Sequence, residues 1–226
     1  MSPDWDPFSD PQVIAKYAEG PPRFVPGYFG MLRMTTLLLA ERVPKTGQIL
    51  VLGAGGGLEL SAFAEAQPGW VFDGVDPSAA MLKLAERTLG PLVTRARLHQ
   101  GYIDDAPEGP FDAATCLLTL HFVPPNLRLQ TAKEVHRRLK PGAPFAVVHF
   151  SVPQGEEERA LWFSRYAAFV VASGVDPDLS AKASAAPKQL HILAPEQDEA
   201  ILRDAGFSNV SLFYTGFTFR GWVAYA

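Results

Sequence analysis

Residues Ile49-Leu50-Val51-Leu52-Gly53-Ala54-Gly55-Gly56-Gly57-Leu58-Glu59-Leu60 decide how this chain is to be read. A short apolar run passes straight into a glycine cluster and then into a segment with helical spacing. A strand that ends in glycines and restarts as a helix makes a tight turn whose backbone amides face an open crevice. Glycine there lets a ligand lie against the main chain without meeting a Cβ. A nucleotide-type cofactor is the expected ligand. The glycines alone leave a packing turn of an α/β protein open as the alternative.

Outward from this stretch the chain alternates. Strands are expected at residues 48–52, 70–75, 95–100, 111–118 and 144–150. Helices are expected between them at 58–66, 79–89 and 126–139. Ser78 is placed to cap the second of these helices, and Lys140-Pro141-Gly142 stops the third. Strands alternating with helices at short spacing imply right-handed βαβ units and a parallel sheet. Upstream lie a Pro/Gly/Asp-rich stretch with a helical piece at 11–18, the segment Arg23-Phe24-Val25-Pro26-Gly27-Tyr28, and a helix at 29–42 ended by Pro44. Downstream come an acidic start at Glu156-Glu157-Glu158, an aromatic helical segment at 161–172, an Ala/Ser/Lys stretch and a helix at 195–205. The strand-like runs at 208–214 and 218–225 then flank Thr215-Gly216. The expected fold is α/β, Rossmann-like and doubly wound, with a mostly parallel sheet and a C-terminal antiparallel hairpin. One domain is expected over 1–226. It comprises an N-terminal helical cover (1–44), a cofactor-binding core (45–152), a helical insertion or lid (153–195) and a C-terminal helix with hairpin (196–226).

Composition narrows the function. Of the 226 residues 47% are apolar, enough for a full core, and the formal charge of −4 comes without a basic tract. Duplex DNA is therefore excluded as an expected partner, while a local basic patch leaves RNA open. The single cysteine, Cys116, lies in the run Ala113-Ala114-Thr115-Cys116-Leu117-Leu118 and reads as a buried strand residue. One cysteine and the scattered His99, His121, His136, His149 and His191 offer no metal-ligand spacing, so no metal is expected. The opening Met1-Ser2-Pro3-Asp4-Trp5-Asp6 is acidic and polar, unlike a secretory leader, and no apolar run approaches membrane-spanning length. A cytoplasmic protein without membrane contact is expected, and a homodimer is left open.

Asp76 closes the second strand about twenty residues beyond the glycine loop, where a carboxylate can accept both hydroxyls of a ribose laid across the strand tips. The structural alternative is a turn aspartate before Pro77. An NAD enzyme would also suit this pairing. Against it, the third glycine of a G-x-G-x-x-G pattern falls on Leu58, and the antiparallel ending replaces the second half of a dinucleotide fold.

The ordered set resembles the class I S-adenosylmethionine-dependent methyltransferases. It comprises Gly53-Ala54-Gly55-Gly56-Gly57, Asp76, the Phe111-Asp112-Ala113 entry to strand four, Leu139-Lys140-Pro141-Gly142 and the C-terminal pair, and covers roughly residues 45–226. The likeness is greater to the carboxy-S-adenosylmethionine synthase group and its methyltransferase relatives. There an Arg-x-Val-Pro-Gly-Tyr segment is matched by Arg23, Val25, Pro26, Gly27 and Tyr28, and a Leu-Thr-Leu-x-Phe segment by Leu118-Thr119-Leu120-His121-Phe122. Ala205-Gly206-Phe207 and the aromatic ending are similar as well.

This resemblance implies S-adenosyl-L-methionine as cofactor. Gly53, Ala54 and Gly55 would face its methionine part and Asp76 its ribose. Pro77, Tyr102 and Ile103 would flank the adenine, with Leu117 and Leu118 beneath and Tyr28 over the sulfonium. Departures matter too. Val51 replaces the acid usual on strand one. Tyr102 replaces the adenine-side acid, for which Asp104 or Asp105 could substitute. The synthase group's strand-four asparagine is Leu117 here, and the arginine that holds the extra carboxylate aligns with Ala183, unless Lys182 or Lys188 fills that role.

Methyl transfer from this donor is expected, with a small-molecule acceptor ahead of a tRNA-type one. Synthase activity stands second, and a non-catalytic cofactor-binding or scaffold role third. On the acceptor side, His121 and His149 end strands at the ligand-binding edge and are candidate bases, against the plainer reading of pocket-wall histidines. Trp162, Phe163, Tyr166 and Phe169 have helical spacing and suit either a core-packed face or a lid. Arg159 and Arg165 are candidates to meet an anionic substrate, against a solvated surface.

Overall fold

The computed structural model describes Ile14, residues 17–178 and residues 190–226. Its centre is one seven-stranded sheet in the order β3-β2-β1-β4-β5-β7-β6. The strands are β1 (Gln48–Leu52), β2 (Val71–Asp76), β3 (Ala96–Gln100), β4 (Ala113–Leu117), β5 (Pro144–Phe150), β6 (Ser208–Gly216) and β7 (Phe219–Tyr225). The first five pair in parallel, and β7 runs antiparallel between β5 and β6. This is the doubly wound sheet with terminal hairpin that the sequence implies. The helices are α1 (Gly20–Phe24), α2 (Tyr28–Ala40), α3 (Leu58–Ala66), α4 (Ala79–Leu89), α5 (Pro125–Arg137), α6 (Glu156–Ala172) and α7 (Pro195–Asp204).

Period-two alternation along the central strands divides the core. Ile49 and Val51 of β1 join Val148 and Phe150 of β5 on one face, against Met31 and Leu32 of α2, Leu60 and Phe63 of α3, and Tyr166 and Val170 of α6. Leu50 and Leu52 join Cys116, Phe145, Val147 and Trp222 on the other, against Ala132 and Val135 of α5 and Leu202 of α7. All seven residues of β5 are buried, so both faces are dry, and the strand is apolar except at His149. Each buried Phe or Val side chain of the strand stabilises the fold by roughly 1.5–3 kcal/mol.

Several boundaries differ from the sequence expectation, for local reasons. β2 starts at Val71, because the Trp70 amide and indole bond instead to Gln67 O (3.2 Å) and Pro44 O (3.0 Å). β4 is shorter: Phe111 makes a lone bridge to Leu139, and Leu118 turns the chain out of the strand with φ of 58°. The hairpin turn falls on Phe217 and Thr218, two residues beyond the expected Thr215-Gly216, with Phe217 at φ 50°. The helix expected at 11–18 lies mostly outside the described residues, as do Lys182, Ala183 and Lys188.

The strand order reverses between β1 and β4, and a crevice opens at the carboxyl ends of the strands at such a point. A separate cavity of about 390 Å³, lined by Gln48, Val71, Phe72, Thr94, Arg95 and Arg97, opens at the opposite edge. Among the described residues no helix is long and apolar enough to cross a membrane, and no cluster of three His, Cys, Asp or Glu is placed to hold a metal ion.

Candidate functional site

The glycine loop is shaped by its neighbours. Gly53, Gly55 and Gly57 all have positive φ (80°, 48° and 79°), where an L side chain is strained. A Cβ on Gly53 would lie 2.0 Å from Thr119 Oγ1, and one on Gly57 2.8 Å from Ala85 Cα. The loop therefore closes on the tip of β4 on one side and on α4 on the other. Gly53 N and Ala54 N donate to Val75 O at 2.8 and 3.0 Å, fastening the loop to β2 rather than pointing outward.

Asp76 completes the fastening. Its two carboxylate oxygens accept from Gly55 N and Ser78 N, each at 2.9 Å. It thus spans the glycine loop and the start of α4, where Ser78 Oγ accepts from Met81 N at 3.3 Å. The turn-aspartate geometry is present.

Tyr17 stands over this loop and went unread in the sequence because it lies in a stretch rich in Pro and Gly. A Cβ on Gly55 would meet its hydroxyl at 3.2 Å, and one on Gly56 its ring at 2.6 Å. Burial, with the negative fields of Glu59 and then Asp76, raises its pKa. Tyr28, the first residue of α2, is buried beside it, and burial, Glu59 and Tyr17 raise its pKa as well. The turn before Tyr28 is held from the far end of the chain, since Tyr214 Oη donates to Pro26 O at 2.5 Å.

Glu59 is the other residue that sequence reading passed over. It lies in the first turn of α3, 8% exposed, and accepts from Thr115 Oγ1 of β4 at 2.8 Å. Burial pushes its carboxyl up to about 8, against a smaller lowering by the Thr115 hydrogen bond. A signal was present: Glu59 stands four residues before the buried Phe63, on the core face of its helix.

On the β3 side, Gly101 N donates to Asp76 O at 3.1 Å and Tyr102 N to Asp105 Oδ2 at 2.9 Å, so Asp105 caps its own turn. Tyr102 is 56% exposed and Ile103 is buried against the core. Gln100 Nε2 donates to Pro77 O at 3.3 Å, tying the two loops together. Leu117 is buried at the end of β4, and Leu118 N donates to Val148 O at 2.6 Å.

The two histidines occupy different surroundings. His121 follows β4, buried beside Phe122 and Phe150, with its Nδ1 accepting from Phe150 N at 3.4 Å. Burial, reinforced by His149 and Arg128, lowers its pKa well below 6.5, so the ring is neutral. His149 faces the opposite side of the sheet, beside Trp222 and with Nε2 3.1 Å from Asp198 Oδ1. Asp198 also accepts from Arg128 Nη1 at 2.9 Å, and both members of that pair are buried. His149 is therefore part of an ionic cluster joining α5, α7 and β5.

Beyond β5, α6 lays Tyr166 on Phe150 and Phe219. Trp162 receives two guanidinium groups, Arg165 at 4.8 Å and Arg220 at 5.4 Å from its ring centre. Arg159 lies over Phe163. An aromatic wall with flanking cations thus stands next to His121.

Comparison with known proteins bears on this geometry directly: residues 50–145 match the family model described as a methyltransferase domain. Over those residues this chain is similar to a methyltransferase domain. Its fold is that of the class I S-adenosylmethionine-dependent methyltransferases. The match begins in β1 and ends in β5, spanning the glycine loop, Asp76, Leu117 at the end of β4 and Leu118 just beyond it. A carboxy-S-adenosyl-L-methionine synthase from Chromohalobacter salexigens is 29% identical over 224 residues, covering 96% of this chain and 82% of its own length. Among solved structures, PigF with S-adenosylhomocysteine superposes with a TM-score of 0.69 at 20% identity over 97% of this chain. Human N-acetylserotonin methyltransferase in complex with S-adenosylmethionine gives 0.58 at 14% identity, also over 97%. This chain spans 60% of the length of each of those two solved chains.

Proposed function

We propose that the chain binds S-adenosylmethionine across the carboxyl ends of β1 to β4 and transfers its methyl group to a small-molecule acceptor beneath α6. The observation that carries this reading is the convergence of the positive-φ glycine loop and Asp76 on one crevice at the switch point of the sheet. The residues present suit such a cofactor: the glycines let the loop fold tightly at the strand tips, and Asp76 sets a carboxylate at the end of β2, where a ribose would lie. Pro77, Tyr102 and Ile103 flank the adenine end, and Leu117 and Leu118 form its floor.

When bound, the cofactor supplies an activated methyl group on a sulfonium, a leaving group that needs no acid assistance. The chain's residues therefore have to align and to exclude water. Tyr28 and the covering Tyr17 close the donor end. Phe150, Phe163 and Tyr166 provide an apolar wall for the acceptor, and Arg165 and Arg220 suit one bearing negative charge. His121, neutral and with Nδ1 accepting from Phe150 N, keeps its proton on Nε2 and is the candidate to donate a hydrogen bond to an acceptor oxygen rather than to act as the base expected from its position. His149, paired with Asp198, fixes the strand that carries this wall.

Calorimetric titration with S-adenosylhomocysteine tests the reading. Micromolar binding that falls at least tenfold in Asp76→Ala supports it. The absence of binding by the intact protein would overturn it in favour of a non-catalytic fold. The second reading, synthesis of the carboxylated cofactor, has the names of the curated relatives behind it. Ala183 and Leu117 stand where that group has arginine and asparagine. Mass spectrometry of the denatured protein decides this point, since a synthase would release the carboxylated cofactor.

A further inference from the structure

Val51 and Thr115 are Cα partners in the β1–β4 ladder, so their side chains share one face of the sheet. Thr115 is bonded on that face to the carboxylate of Glu59, which descends from the first turn of α3. A carboxylate therefore lies over the Val51–Thr115 pair although the strand supplies none. Among the described residues no cation is paired with it. Burial without a counter-charge holds this carboxyl in its protonated form, and a cationic group of a ligand beside it would restore the ionised one. Its field reaches the Tyr17 and Tyr28 phenols, and Tyr17 also feels Asp76. Tyr17 lies against Gly55 and Gly56 of the glycine loop, and Glu59 is two residues beyond the end of that loop.

Resting on the donor-site reading above, we propose that Glu59 is the anionic partner of the α-ammonium group of S-adenosylmethionine. It supplies from α3 the charge that Val51 does not supply from β1. Thr115 is the positioning residue that holds one carboxylate oxygen and leaves the other side of the group to the ligand. Docking of the ammonium favours the ionised form of Glu59, whose proton passes to solvent, so the site discriminates for a ligand with an intact amino-acid end.

The test is parallel calorimetric titration of wild type, Glu59→Gln and Thr115→Val with S-adenosylhomocysteine and with 5′-methylthioadenosine, which has the nucleoside and sulfur but no amino-acid end. Glu59→Gln is expected to weaken S-adenosylhomocysteine at least tenfold and to leave 5′-methylthioadenosine within twofold. Thr115→Val, which keeps the charge, is expected to show a smaller loss in the same direction. It serves alone if Glu59→Gln does not fold. Equal affinities for S-adenosylhomocysteine in all three proteins would overturn the assignment, as would equal loss of both ligands. Failure of wild type to bind either ligand would instead remove the donor reading on which the assignment rests.

Discussion

Tyr214 in β6 holds Pro26, ahead of α2, through a 2.5 Å hydrogen bond from its hydroxyl to the proline carbonyl. The bond joins the C-terminal hairpin to the turn that delivers Tyr28 to the glycine loop, and Gly216 packs against the same proline. Tyr214→Phe keeps the ring and removes the donor. A loss of about 1 kcal/mol is expected, seen as a fall in Tm of roughly 2–4 °C for a chain of this size. S-adenosylhomocysteine affinity should fall with it. An unchanged Tm and affinity would show that this tie does not set the turn.

Gly57 and Gly155 both stand at helix starts, but in opposite circumstances. Gly57 has φ of 79° and would place a Cβ against Ala85, whereas Gly155 has open space and φ of −58°. Gly57→Ala should cost on the order of 2–4 kcal/mol from backbone strain and displacement of α4. Gly155→Ala should stay within about 0.5 kcal/mol. Urea denaturation of the two variants side by side checks the contrast.

Asp198 and Arg128 form a buried pair with His149 alongside. Asp198→Ala leaves the guanidinium uncompensated and should cost about 3–5 kcal/mol. Burial raises the Asp198 pKa, but His149 and Arg128 overcome it and hold the group below the ordinary carboxylate range. The folded pKa is thus depressed. The associated stability is present above about pH 4 and is lost as pH falls through the folded value. In Asp198→Asn this part of the acid limb of a Tm-against-pH profile should disappear.

Glu59 has the opposite sign. Its folded pKa of about 8 exceeds the ordinary 4.5, so the folded state holds a proton that the unfolded chain has released. Stability contributed by neutral Glu59 is complete below pH 4.5 and declines as pH rises toward 8. The facing groups Tyr17, Tyr28 and Cys116 have raised pKa values and stay neutral through this window. Glu59→Gln is therefore expected to raise the Tm of the ligand-free protein at pH 8 and to leave it unchanged at pH 4. A Tm lowered equally at both would mean that the carboxylate serves packing instead.

What was legible in the sequence was whatever local pattern decides. β1, α3, α4 and β5 end where their apolar periodicity, glycines and caps end, so the residues alone set them to the residue. The glycine loop and Asp76 were legible because a strand tip followed by small residues has few uses. Glu59 was obscured because its meaning comes from Thr115, a strand away, and Tyr17 because only tertiary folding lays it on Gly55 and Gly56. His149 looked open to a ligand by its position at a strand end. Pleat direction alone turned it toward Asp198 and Trp222, and no motif encodes that direction.

The placement of β7 inside the sheet sets the order in which the molecule can assemble. The parallel strands can pair as their βαβ units form, but β5 then has one bare edge made of Phe145, Val147 and their neighbours. Such an edge invites pairing with another chain until it is capped. The hairpin of β6 and β7 closes locally and cheaply before it docks. The aggregation hazard of this protein is therefore a matter of timing, lasting from the completion of β5 to the arrival of Trp222 beside Val147.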